Sequence, residues 1–128
     1  MLRNPRILLV EDNHSVAKSL AHLLTGSGYD VVTAYDGAEG LQLARSEAID
    51  LILLDWMLPD TEGPEFLSDL RGFSTSPCIM VTAQDGPEHA VRALEAGCDD
   101  YIEKPIRPDE LLLRVERVLR RAAEDAAD

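Results

Sequence analysis

Residues 7–13 read ILLVEDN, an unbroken apolar run that leads straight into Glu11 and Asp12. At neutral pH the two carboxylates repel one another, and an apolar floor beneath them excludes water that would otherwise screen the repulsion. Something has to make the arrangement tolerable. Similar runs of strand length recur at 31–34, 51–54, 78–81 and 101–102, each too short to be a helix and each followed by polar residues.

Helical patterns lie between these runs. Val16, Leu20, Leu23 and Leu24 keep the three-to-four spacing of a buried stripe, with Gly26 or Gly28 placed to end it. Ala38, Leu41 and Ala44 follow Asp36, which has the chemistry of an N-cap. Pro64, Pro87 and Pro108 each stand at or near a first helical position, where a missing N–H costs nothing. The helices behind them are expected to turn Leu67 and Leu70, then Val91 and Leu94, then Leu111, Leu112, Val115, Val118 and Leu119 inward, the second of them stopping at Gly97. Five strands alternating with five helices specify an α/β fold, a parallel sheet covered on both faces.

The chain has 128 residues, enough for one domain with its own core and too few for a second. Its formal charge of −12, from 24 acidic against 12 basic residues, argues against gripping a nucleic-acid backbone, which needs clustered Lys and Arg. No apolar run approaches the roughly 20 residues of a membrane span. Residues 1–5 offer no secretory apolar segment, so a cytoplasmic location is expected, with neither membrane nor nucleic acid as a direct partner. Cys78 and Cys98 form no metal or redox spacing and read as small buried hydrophobes; His14, His22 and His89 read as solvated. Residues 1–121 are expected to form the domain, and the polar, alanine-rich 122–128 to be a tail or the start of a linker.

In an open parallel sheet, ligands bind beyond the carboxyl ends of the strands. Glu11 and Asp12 follow the first strand, Asp55 the third, Thr82 the fourth and Lys104 the fifth. Each alone is ordinary, as a cap, a turn or a solvated charge. Together they place three carboxylates, a hydroxyl and an ammonium on one rim. Clustered carboxylate oxygens suit a hard divalent cation such as Mg²⁺, which commonly takes one or two carboxylates along with waters and a phosphate oxygen. Lys104 supplies a point charge for a phosphoryl oxygen, Thr82 a hydroxyl donor, and Asp55 a nucleophile able to form an acyl phosphate.

Four stretches, ILLVEDN, LILLDWMLPDTEG, IMVTA and DDYIEKP, closely resemble the signature segments of response-regulator receiver domains of bacterial two-component systems, most like the winged-helix transcription-factor subfamily. The resemblance spans about residues 6–121. It implies a flavodoxin-like sheet of strand order 2-1-3-4-5 and phosphoryl transfer to Asp55 from a sensor histidine kinase or phosphotransfer protein. It also implies Mg²⁺ (or Mn²⁺) held by Glu11, Asp12, Asp55 and the Met57 backbone carbonyl, and phosphate contacts from Thr82, Ala83 and Lys104. Thr82 and Tyr101 match a switch pair, and Lys104-Pro105 a cis peptide. The face of the fourth helix, fifth strand and fifth helix is implied as the output surface. Asp99, Asp100, Glu110, Arg114 and Arg121 there match charges that the subfamily uses for homodimers, while Ala90 and Ile106 depart from its pattern. Met57 and Gln84 flank the site, where they bear on access of the water that hydrolyses an acyl phosphate.

Two other functional classes make different demands of the chain. An aspartyl-nucleophile phosphatase of the haloacid-dehalogenase type needs a second acid two residues after the nucleophile, where this chain has Met57. An unphosphorylated docking module needs none of the five rim residues.

Overall fold

The structure is a computed structural model describing residues 3–83 and 87–127. Its elements alternate strictly: β1 Arg6–Val10, α1 His14–Gly26, β2 Asp30–Ala34, α2 Gly37–Ser46, β3 Leu51–Asp55, α3 Gly63–Leu70, β4 Cys78–Thr82, α4 Pro87–Glu95, β5 Asp100–Glu103 and α5 Pro108–Ala127. The strands form one parallel sheet in the order β2-β1-β3-β4-β5, the flavodoxin-like arrangement. α5 continues through the alanine-rich stretch as helix as far as Ala127.

The apolar runs are continuous because successive residues feed two separate cores. Ile7, Leu9, Leu51, Leu53, Ile79 and Val81 point to one face, against Ala17, Leu20 and Leu24 of α1 and Leu111, Val115 and Val118 of α5. Their neighbours Leu8, Val10, Ile52, Leu54 and Met80 point to the other, against Phe66, Leu67 and Leu70 of α3 and Ala93 of α4. Every residue of β3 and β4 is buried, as a period of two between a pair of cores requires. Gly28 (φ 98°) and Gly97 (φ 94°) adopt the left-handed conformation that turns the chain after α1 and α4.

α4 departs from expectation. Val91 and Leu94 are 50% and 59% exposed, and Ala93 is buried in their place. The helix meets the core through this small side chain, and its larger apolar residues face outward. A search for large apolar residues at helical spacing overlooks an alanine contact. Cys78 and Cys98 are both free and buried in the α3/α4 core; burial raises the Cys78 thiol pKa and pushes that of Cys98 up to about 11, so neither is a ready thiolate. His22 is exposed as expected. His14, although exposed, stacks on Tyr35 with ring centroids 3.9 Å apart. His89 is half-buried, its ring meeting that of Trp56 edge-on, so it is not a freely solvated side chain.

The loop after β3 is tied to the start of α2. Asp36 caps that helix as expected, its carboxylate accepting the Glu39 N–H at 2.8 Å. Asp60, from the β3–α3 loop, accepts the Gly37 and Ala38 N–H groups at 2.8 and 3.0 Å. Two helix-start donors are thereby satisfied from a distant segment. The Gly37 N–H is the largest influence on the Asp60 carboxyl and holds it below its ordinary pKa; burial opposes this, and the Ala38 N–H adds a smaller lowering. A lowered carboxylate pKa stabilises the fold above the ordinary carboxylate range, and that stability is lost as pH falls through the lowered value. Asp60→Ala is therefore expected to cost about 1 kcal/mol in urea unfolding at neutral pH. Asp60→Asn, keeping one acceptor oxygen, should lose about half as much, and both differences should shrink toward pH 3.

Candidate functional site

All five strands run parallel, so the residues leaving their carboxyl ends collect on one edge. Glu11 follows β1, Asp55 ends β3, Thr82 ends β4 and Lys104 follows β5. β1 is also where the strand order reverses, since β2 lies on one side of it and β3 on the other; crevices form at such points. Here the crevice is a hollow of about 360 Å³ whose lining includes Glu11, Asp12, Asn13, Asp55, Met57, Ala83 and Lys104.

Glu11 and Asp55 are 3% and 7% exposed, whereas Asp12 is open to solvent. One carboxylate oxygen from each of the three lies within 4.8 Å of the others. Lys104 reaches in from the far side, its Nζ 3.5 Å from both Glu11 Oε1 and Asp55 Oδ1. One ammonium therefore meets two of the three acids. Burial, and then the Asp55 carboxyl beside it, raise the Glu11 pKa, against the Asn13 N–H (3.2 Å from Oε2) and Lys104, which lower it. Excess negative charge on an apolar floor, presented entirely through oxygen donors, fits a hard divalent cation. Glu11, Asp12 and Asp55 are the residues placed to hold one.

The remaining residues singled out in the sequence divide by location. Met57 and Ala83 line the hollow. Thr82 is fully buried, and its carbonyl accepts the Lys104 N–H at 2.8 Å, so the hydroxyl-bearing and ammonium-bearing residues are joined through their backbones. The Lys104-Pro105 peptide is cis. Tyr101 packs partly against the α3/α4 core while its hydroxyl donates to Glu103 Oε1 at 3.2 Å, at the exposed edge of β5. Gln84 lies outside the described residues.

The five charges of the expected output face are not one cluster. Arg114 Nη1 lies 2.9 Å from both carboxylate oxygens of Asp100, and Arg114 Nη2 is 3.7 Å from Glu110. Asp99 instead accepts the Cys78 N–H at 2.8 Å and stands 3.8 Å from Arg71. It shares a second hollow with the exposed Arg121 at the opposite end of the sheet.

Sequence reasoning passed over Asn13 and Trp56. Asn13 caps α1, accepting the Val16 N–H at 3.0 Å, while its own N–H holds Glu11. An Asn just before a helical pattern was a readable capping signal. Trp56, one residue beyond Asp55, is 2% exposed and lies beneath His89 and Arg92 of α4; nothing in the spacing of those residues signals this.

Residues 7–116 match the family model described as "Response regulator receiver domain". Among curated proteins, the chain is 45% identical over 120 residues to the alkaline phosphatase synthesis transcriptional regulatory protein PhoP of Bacillus subtilis, covering 93% of this chain and 50% of that protein. It is 42% identical over 125 residues to the response regulator MprA of Mycobacterium tuberculosis, covering 96% and 54%. The chain thus spans about half the length of these relatives. Among solved structures, the signal receiver domain of a LuxO repressor protein from Vibrio parahaemolyticus superposes with a TM-score of 0.91 at 33% identity, covering 99% of this chain and 98% of that one. A CheY-like receiver domain from Methanospirillum hungatei gives 0.90 at 35% identity, covering 95% and 98%. With its strand order, its acidic crevice and these matches in agreement, the chain belongs to the response regulator receiver domain family, a signalling rather than a catalytic class.

Proposed function

We propose that Asp55 is the phosphoacceptor of this receiver domain. The observation that carries this reading is the position of Asp55: nearly buried at the end of β3, grouped with two further carboxylates and 3.5 Å from the Lys104 ammonium. An Asp55 oxygen attacks the phosphorus of a phosphohistidine on a sensor kinase or phosphotransfer protein. The new Oδ–P bond forms as the P–N bond breaks, and the electron pair leaves with the imidazole, which takes up a proton from solvent. Lys104 shifts from the carboxylates toward the incoming phosphoryl oxygens, and the Thr82 hydroxyl donates to another. Ala83, lining the hollow, offers its backbone N–H, and the Met57 carbonyl joins the three acids as a metal ligand. Mg²⁺ bound by this set would offset the charge that builds up as two anions meet. Positioning and charge compensation are the main demands of such chemistry.

An acyl phosphate replaces one negative charge with about two. The switch proposed to read this change is Thr82 drawn toward the phosphoryl group, with the Tyr101 ring leaving Glu103 and turning inward. The outer face of α4, β5 and α5 is then the output surface. Val91, Leu94 and Leu113 are 50%, 59% and 55% exposed on α4 and α5, which favours a homodimer contact there, with Asp100, Glu110 and Arg114 at its polar margin. Because the relatives include transcriptional regulators about twice the length matched, the domain is read as the phosphorylation-sensing portion of such a regulator, acting in the cytoplasm. Among the described residues no helix is long and apolar enough to cross a membrane.

Incubation with acetyl phosphate and Mg²⁺ is expected to add one phosphoryl group by intact mass, and Asp55→Asn to abolish the addition. Persistent labelling of Asp55→Asn would reject Asp55 as the acceptor.

The raised Glu11 pKa gives a second outcome. A carboxyl that holds its proton more tightly when folded stabilises the fold below its unfolded pKa, and that stability is lost as pH rises through the folded value. In chelator, the Tm should fall as pH rises above the ordinary carboxylate range, and saturating Mg²⁺ should flatten the fall. Asp55→Asn, removing one like charge beside Glu11, should raise the neutral-pH Tm in chelator by roughly 4 °C, or about 1 kcal/mol. Differential scanning fluorimetry over pH checks both.

A further inference from the structure

α4 has little holding it to the domain. Among its described residues only Ala93 is buried, and its larger apolar side chains face solvent. Two of its other side chains reach the segment that follows Asp55. The Trp56 backbone is fixed on both sides, its N–H donating to the Val81 carbonyl at 2.8 Å and its carbonyl accepting the Gly63 N–H at 2.6 Å. Over its ring lie two α4 side chains. His89 meets it edge-on at 5.3 Å between centroids, and the Arg92 guanidinium carbon stands 5.2 Å from the ring centroid, inside the range of a cation–π contact. Arg92 also pairs with Glu62, just before α3, at 3.7 Å. A single guanidinium thus ties α4 to both ends of the β3–α3 loop.

Resting on the phosphoacceptor reading, we propose that Arg92 is a positioning residue that acts through Trp56. With Glu62 and His89 it latches α4 over the residue next to Asp55, and the latch opens as the phosphoryl group is taken up. An exposed cation–π contact and an exposed ion pair are each weak. They matter here because the helix they restrain is itself weakly held, and elements that move in switching come from the least stable parts of a fold. The latch favours the resting position of α4, so releasing it lowers the barrier to uptake.

Trp56 is the single tryptophan of the chain, so its fluorescence reads the latch directly. Arg92→Ala is expected to shift Trp56 emission to the red and increase acrylamide quenching without any phosphoryl donor. In acetyl phosphate with Mg²⁺ it should raise the initial labelling rate about 3- to 10-fold. Arg92→Lys keeps the charge for Glu62 but stacks less well, and should fall between. Arg117→Ala, removing an exposed arginine of α5, should change neither reading. A merely structural role for Arg92 would lower the Tm without speeding uptake. Wild-type quenching in Arg92→Ala, or a labelling rate unchanged or slowed, would overturn the proposal. Failure of the wild-type chain to take up phosphoryl would overturn the phosphoacceptor reading and the kinetic half of this one, while the donor-free quenching comparison separately decides whether Arg92 covers Trp56.

Discussion

The constraint on which the rest depends is electrostatic: three carboxylates are gathered at the edge of a doubly covered sheet that leaves two of them little water. β1 and β3 are apolar on both faces, so the first polar residues beyond them have nowhere to go but the crevice at their carboxyl ends. Two of the three acids are almost fully covered there, and Lys104 is the one cation among the described lining residues. The raised Glu11 pKa is the local sign of this crowding. A neutral or hydrophobic rim would favour folding more, but it would offer no attraction for a cation and no nucleophile. Stability given up at one edge in exchange for reactivity is a common trade in functional sites.

That trade is affordable because the rest of the domain is conservatively built. Successive strand residues feed two cores, and the α1/α5 side and the α2/α3 side are packed with large aliphatic and aromatic residues. Asp60 and Asp36 between them satisfy the start of α2, fixing the loop that carries Met57 to the scaffold. α4 is the exception. Its alanine contact leaves it the most lightly anchored helix beside the site, held in part by polar and aromatic contacts to Trp56 and Glu62. Rigid framework and loosely held reporter are thus assigned to different elements.

Much of this was legible in the sequence. Short apolar runs such as 51–54, bounded by acids and alternating with helical patterns, read as strands buried on both sides, and the acids, hydroxyl and lysine that follow them were visible as a rim before any geometry was known. The Asp36 cap and the prolines at helix starts were equally local signals. What could not be read depended on contacts between distant segments. Asp60 lies in a loop with nothing to show that its partners are two N–H groups at the start of another helix. Val91 and Leu94 keep helical spacing, yet tertiary packing gave the inward position to Ala93. His89 looked like a surface residue, and only the fold brings it against Trp56.

Lys104 shows how the two ends of the domain's behaviour are joined. Its ammonium stands 3.5 Å from Asp55 and from Glu11, its N–H is bonded to the Thr82 carbonyl, and it follows directly on β5, which carries Tyr101 and Asp100. In the proposed reading, a phosphoryl group on Asp55 draws that ammonium away from Glu11. The backbone hydrogen bond couples any such movement to the last residue of β4, and β5 couples it to the Tyr101–Glu103 and Asp100–Arg114 pairs. On the other side of Asp55 the chain passes at once to Trp56 and so to Arg92 on α4. Asp55 therefore has a covalent neighbour beneath α4 and an electrostatic neighbour at the end of β5. A single change in charge there would have two short routes, one to α4 and one to β5.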